Sequence, residues 1–367
     1  MSVAMTLLAA AVITATPSAS PEVLEPSVMN EVEHALSRSP AFSRFSRHDF
    51  GGSNATERAL AVIRAQGADG RWTVGNDDFT FAAVSELKRL AYGDGSFKVL
   101  MIGNSFSISN CRHMPAVAKS LGVDLELGSL YIGGCSLQRH WQNVLAATNA
   151  AFRPYDYQFH KDGERVRSVP RDINIPEALR ARRWDVVTIQ QCSHESWRRE
   201  SYHPWGDDLV KYIRELAPQA EIVVQETWSY TPFDARLMRW GIDQNEMYAK
   251  LHEAYRDFAE GHSLRVIAMG TAVQRWRERL PVRYGEADFG GDVVGGRGGA
   301  RPDGKGKCDV FHLHERGEYL QSLVWTAALL GVDVTVSDYL PKGVTAVEDT
   351  LMKRIAVEVS KSRSAEE

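Results

Sequence analysis

Phe97–Ser109, FKVLMIGNSFSIS, is the stretch whose reading decides the fold. Phe97 to Ile102 is a short apolar run rich in strand formers, and Gly103 breaks it. Asn104 and Ser105 follow, and from about Asn110 the residues CRHMPAVAKSLG take helical spacing. Strand, tight turn and helix is the order this predicts. In open α/β sheets such a turn sits at the carboxyl end of a strand, where sites are built. It points Ser105 at a helix N-terminus, where backbone N–H groups favour developing negative charge. Ser105 is therefore a candidate nucleophile. Serine and asparagine are also ordinary caps, so on this segment alone a capping role for Ser105 or Ser107 stands ahead of catalysis.

Working outward, strands and helices alternate from Phe97 onward. Strands are expected at Lys98–Ile102, Asp124–Leu130, Asp185–Gln190, Glu221–Glu226 and Arg265–Met269. Helical patterns lie between them at Met114–Leu121, Leu137–Ala147, Trp205–Leu216 and Gln244–Ala259. This rhythm implies βαβ units, a mainly parallel five-stranded sheet and helices on both faces, a three-layer α/β/α fold. Two insertions interrupt it. Tyr155–Val169 alternates around Lys161-Asp162-Gly163 and reads as a hairpin, and the glycine-rich Tyr284–Lys307 reads as a mobile loop.

Ahead of the alternation, Met1–Ser20 is apolar, then small and polar, and resembles a secretory signal peptide cleaved near Ala19, although its first residues lack Lys or Arg. Residues 21–95 have helical spacing around Glu31–Ser37, Ala55–Gln66 and Phe79–Leu90, broken by GGSN and GADGRWTVGNDD. They are expected to form a small helical extension to a catalytic domain at 96–340, with a C-terminal helix and tail at 341–367. Export would follow from the leader.

The chain has 367 residues, 44% hydrophobic and 25% charged, with a net charge of −4. No electrostatic case exists for nucleic acid or a membrane surface. No run of about 18 apolar residues occurs to span a bilayer. Cys111, Cys135, Cys192 and Cys308 are widely spaced and make no CxxC pair, so no metal cage is expected.

Candidate chemistry lies at the strand ends. Asp309-Val310-Phe311-His312 follows the glycine-rich loop and precedes the helical pattern Glu315–Leu330. A carboxylate three residues before an imidazole can fix its tautomer and leave the other nitrogen for a nucleophile's proton. His314 with Glu315 could instead begin a metal fragment, but lacks partners. Tyr131–His140, YIGGCSLQRH, brings Gly133 and Gly134 to the second strand's end, where their N–H groups can approach a substrate oxygen. Ile189–Ser196, IQQCSHES, ends the third strand in a polar cluster; Gln190, Gln191, Ser193 or His194 can donate to an oxyanion or bond neighbouring loops. No GxxxxGK[ST] or GxGxxG occurs at the Ser105 turn, which disfavours a nucleotide site.

The order GNSFS, GGCSL, QQCSHES and DVFHLHERG resembles the SGNH (GDSL-like) hydrolase superfamily, over roughly Phe97 to Val334. The resemblance implies a flavodoxin-like fold and a serine esterase with Ser105 as nucleophile, His312 as general base and Asp309 as its orienter. It further implies the backbone N–H groups of Ser105 and Gly134 as oxyanion donors. Two departures stand out. Asn104 replaces the usual Asp, and strict counting from Asp185 puts Cys192 and His194 where the superfamily has Gly and Asn. The third donor then falls among Gln190, Gln191, Ser193 and His194, with Gln191 favoured. No metal or organic cofactor is implied. The expected substrate is a small-molecule or glycan ester, an acetylated carbohydrate by analogy; Trp141, Trp197, Tyr202, His203, Trp228 and Tyr230 would suit sugar faces, although core packing is the first reading for any single one of them. The alternative is the same fold as a non-catalytic glycan-binding or scaffolding domain.

Overall fold

Long apolar runs in strands buried on both faces set this architecture. The computed structural model describes residues 72–74, 77–79, 96–149, 151–279, 291–295 and 309–361. The chain divides into two units, Met1–Phe97 and Lys98–Glu367. In the first, β1 (Trp72–Val74) and β2 (Asp77–Phe79) pair antiparallel. The hairpin falls where the sequence suggested a break between helices, and it takes in Phe79, expected to open a helix. Asn and Asp beside Gly75 suit a tight turn better than a helix. The signal-like leader and the three expected helices of 21–95 lie outside the described residues, Phe79 apart.

The second unit is the α/β domain. In chain order it runs β3 (Phe97–Gly103), α1 (Ser105–Ile108), α2 (Met114–Ser120), β4 (Leu125–Tyr131), α3 (Leu137–Ala146), β5 (Tyr155–Lys161), β6 (Glu164–Arg165), β7 (Asp172–Ile173) and α4 (Ile175–Ala181). It continues β8 (Val186–Ile189), α5 (Trp205–Leu216), β9 (Glu221–Gln225), α6 (Ala235–Trp240), α7 (Gln244–Gly261), β10 (Arg265–Ile267), α8 (Met269–Arg279), α9 (Glu315–Leu330) and α10 (Ala346–Lys361). The sheet order is β10-β9-β8-β3-β4-β5-β6, with β7 also on β5. β3, β8, β9 and β10 are mutually parallel, with Val99 opposite Val186 and Ile102 opposite Ile189. The five expected strands are all present. The Tyr155 hairpin joins the same sheet antiparallel, so the sheet has eight strands.

Burial explains the division. β8 is buried at every position and β3 at all but Lys98, as strands covered by helices on both faces must be. From Tyr155 to Phe159, β5 alternates between buried and half-buried residues, the pattern of a sheet flank with one wet face. Helices cover both sides of the sheet. α3 packs with α4 and α5, while α2, α8 and α10 pack around α9, whose residues from Gly317 to Leu330 are all buried. Trp184, Trp276 and Trp325 fill the core with no exposed surface.

Because β3, β8 and β9 run in register, their carboxyl ends fall on one rim. The chain is tightest there where α8 starts beside the end of β9. A Cβ on Gly270 would sit 2.1 Å from the Thr227 carbonyl oxygen and 3.0 Å from Glu226 Oε2. Backbone cannot yield as a flexible side chain does, so Gly270→Ala should destabilise the fold by about 1–3 kcal/mol, read as a lowered midpoint in thermal or denaturant unfolding.

Candidate active site

Ser105 is the first residue of α1, directly after the end of β3. Asn104 sets it there. Its side-chain oxygen caps the helix by accepting from Phe106 N–H at 3.0 Å and also accepts from Gln190 Nε2 at 2.7 Å. Its Nδ2 donates to the Cys135 carbonyl at 3.0 Å. Asn104 is buried, so it ties the first, second and third strand ends together beneath the hydroxyl instead of facing a substrate.

Asp309, Val310, Phe311 and His312 arrive from the other end of the chain. His312 Nε2 lies 2.8 Å from Ser105 Oγ, and Nδ1 lies 2.7 Å from Asp309 Oδ2. The acceptor-only carboxylate fixes the proton on Nδ1, which leaves Nε2 to accept from the serine. The other Asp309 oxygen accepts from Phe311 N–H at 3.0 Å and His312 N–H at 2.9 Å. Burial alone would raise the Asp309 pKa, but hydrogen bonds from the His312 ring and these two amides outweigh it and hold it at about 2.

His314 does not face the serine. Its Nδ1 accepts from Arg316 N–H at 3.3 Å, as the cap of α9, and its Nε2 donates to the Asp292 carbonyl. Among the described residues no group of three His, Cys, Asp or Glu is arranged to hold a metal ion.

At the second strand end, Gly134 is exposed and has φ +60°, a conformation that favours glycine and leaves open space where a Cβ would stand. The N–H groups of Gly134 and Ser105 donate to no backbone acceptor among the described residues. At the third, the amides face inward. Gln191 Oε1 accepts from Leu137 N–H at 3.0 Å and Cys192 N–H at 2.8 Å, while Nε2 donates to the Ser201 carbonyl at 2.8 Å and hydroxyl at 3.1 Å. Gln190 is buried against Asn104, and Ser193 Oγ bonds Tyr230 Oη at 2.8 Å. His194 is exposed, its Nε2 3.6 Å from Cys192 Sγ. Burial pushes the Cys135 and Cys192 thiols up to about 12, so neither competes with Ser105 as a nucleophile. The described cysteines, Cys111, Cys135 and Cys192, are unpaired.

The segment after β9 shapes the site in a way that spacing did not reveal. Trp228 Nε1 donates to the Phe311 carbonyl at 2.8 Å and Thr231 N–H to the Val310 carbonyl at 3.0 Å. The Phe106 ring stacks on Trp228 at 4.1 Å and lies 5.6 Å from the His312 ring. Gln225 and Gln321 both donate to the Phe106 carbonyl, at 2.8 and 2.6 Å. Tyr202, Trp228 and Tyr230 have no exposed surface, which removes them as sugar platforms. Their polar atoms were the available signal, since buried Trp and Tyr need partners.

A family model described as a domain of unknown function, DUF4886, matches residues 98–293, just over half of the chain. The chain belongs to the DUF4886 family. The match takes in Ser105 and Gly134 and ends before Asp309. A DUF4886 family protein from Bacteroides uniformis is 28% identical, with a TM-score of 0.60 over 72% of this chain and 94% of that one. A protein from Slackia heliotrinireducens, provisionally described as an SGNH hydrolase, is 21% identical with a TM-score of 0.40 over 62% and 96%. A member of the lipolytic G-D-S-L family from Veillonella parvula is 14% identical with a TM-score of 0.34 over 62% and 94%. No curated protein matches the chain.

Two outcomes follow for this DUF4886 domain. Asn104→Asp would set a buried carboxylate oxygen against the Cys135 carbonyl in place of a donor. It should cost about 1–3 kcal/mol near neutral pH, a loss that shrinks in acid as the new carboxyl protonates and can donate; unfolding midpoints across pH check it. The depressed Asp309 pKa gives stability that is present above the ordinary carboxylate pKa of about 3.9 and lost as pH falls through about 2. Asp309→Asn should therefore be less stable than the parent by no more than about 2 kcal/mol above that range, and the two unfolding curves should converge between about pH 4 and pH 2.

Proposed function

We propose that this protein is a serine ester hydrolase that works through an acyl-enzyme. The observation that carries the reading is the continuous line Ser105 Oγ–His312 Nε2, His312 Nδ1–Asp309 Oδ2, at 2.8 and 2.7 Å. A serine, a base within hydrogen-bonding reach and a third group that orients the base are the parts of an activated nucleophile.

In this reading Ser105 Oγ attacks the ester carbonyl as its proton passes to His312 Nε2. Asp309, ionised at any pH where the protein works, stabilises the imidazolium. The carbonyl oxygen takes up negative charge beside the N–H groups of Ser105 and Gly134. The carbon–oxygen bond to the alcohol then breaks, His312 returns the proton to the departing alkoxide, and Ser105 is left acylated. Water, deprotonated by the same nitrogen, repeats the sequence, releases the acid and restores the hydroxyl. The engaged amide of Gln191 leaves the exposed His194 as the candidate for a third donor beside the two main-chain groups, and loss of one donor typically costs about 10²–10³ in rate.

The substrate we assign is a carbohydrate or related small ester carrying acetyl or a similar acyl group, acted on after export. The support is the superfamily resemblance and the leader-like Met1–Ser20. No helix among the described residues is long and apolar enough to cross a membrane.

Purified protein should hydrolyse p-nitrophenyl acetate, and Ser105→Ala should lower kcat by at least about 10³-fold while leaving the unfolding midpoint near that of the parent. Equal rates from the two proteins would remove the esterase reading in favour of a binding domain.

A further inference from the structure

The base His312 lies on a loop with no regular structure, and two stretches of chain hold that loop from different sides. One follows β9, where Trp228 Nε1 and Thr231 N–H donate to the carbonyls of Phe311 and Val310. The other is Gly291–Gly295, between the glycine-rich residues. Gly295 N–H donates to the His312 carbonyl at 2.8 Å, His314 N–H to the Val293 carbonyl at 3.3 Å, and Val294 faces Leu313 in an antiparallel bridge.

One buried side chain joins the two stretches. Arg277, near the end of α8, donates through Nη1 to the Ser229 hydroxyl at 2.9 Å and the Ser229 carbonyl at 3.3 Å. Ser229 sits between Trp228 and Tyr230 in the first stretch. Arg277 Nε donates to Asp292 Oδ2 at 3.1 Å, and Nη2 lies 3.0 Å from the same oxygen. Asp292 belongs to the second stretch and also accepts from Val293 and Val294 N–H, at 2.7 and 3.3 Å. The Arg277 side chain is 6% exposed and that of Asp292 is fully buried.

From this we infer that Arg277, charge-balanced by Asp292, is a positioning residue for His312, setting the imidazole on Ser105 by holding both walls of its loop at a fixed separation. The kinetic consequence rests on the serine hydrolase reading; the geometric one does not. Two observations favour geometry over plain stability as its purpose. A buried ion pair gives little net stability over an apolar pair of similar size, because desolvation offsets the attraction. And the task needs a planar fork that bonds two diverging acceptors at once, which guanidinium provides and an ammonium point charge does not.

The test compares the parent with Arg277→Lys and with the double variant Arg277→Met/Asp292→Asn, which leaves no uncompensated buried charge. kcat and KM for p-nitrophenyl acetate are measured across pH on folded protein, beside thermal unfolding. Both variants should lose kcat by about 10–10²-fold, the cost of a reacting group displaced by about 1 Å, with KM within about threefold of the parent. A lowered unfolding midpoint with kcat unchanged in both variants would overturn the proposal. If the parent itself turns over no ester and its serine takes no fluorophosphonate label, the hydrolase reading fails separately. Crystal structures of the parent and Arg277→Lys then decide the positioning claim: His312 Nε2 beyond hydrogen-bonding reach of Ser105 Oγ in the variant supports it, and an unchanged 2.8 Å contact overturns it.

Discussion

A neutral imidazole has to reach across 207 residues of sequence and present one particular nitrogen to one hydroxyl. Asp309 makes that local. Its carboxylate accepts from the ring and from two amides of its own loop, so a segment of four residues fixes the ring, its tautomer and its own backbone together. Alignment with Ser105 then needs only the loop as a whole to be held, and much of the polar interior near the rim does that work.

The division of labour among the strand ends follows from it. A buried amide must find partners for both its ends. Asn104, Gln190 and Gln191 find them in one another and in neighbouring loops, and in doing so they knit three rim segments into one bed. Side chains employed in this way cannot also greet a substrate. What stays available at the rim, besides the exposed His194, is main chain at Ser105 and Gly134. Stiffness is the gain, since main-chain donors in short turns anchored to buried strands move less than long side chains do.

The fold was largely legible because β3 and β8 are short apolar runs, ended by Gly103-Asn104 and by the polar Gln190-Gln191, and because α5 and α7 carry clear helical spacing. The hairpin at Tyr155 was legible as a hairpin, but joining it to the parallel sheet is a long-range pairing that no local pattern encodes. α9 is buried along most of its length, so its sequence shows an apolar helix without showing what surrounds it. In the proposed site, the contact of Asp309 with His312 was legible from their spacing of three, while the approach of His312 to Ser105 rested on the expected convergence of strand ends. The partners of Gln191 and the fork of Arg277 could not, since each depends on which distant backbone groups happen to lie within 3 Å or so. Trp228 and Tyr230 illustrate the same limit from the other direction: an aromatic residue at a strand end suits a sugar face or a core equally until its burial is known.

At the opposite border of the sheet from the hairpin, β10 is a strand of three residues, and its first side chain folds back along the strand next to it. The Arg265 guanidinium bonds both oxygens of Glu221 on β9 and donates to the Ala328 carbonyl of α9. A border so brief, capped by a tethered cation, gives an incoming extended chain very little ladder to continue. At this border, crowded copies of the domain should thus resist stitching into ribbons.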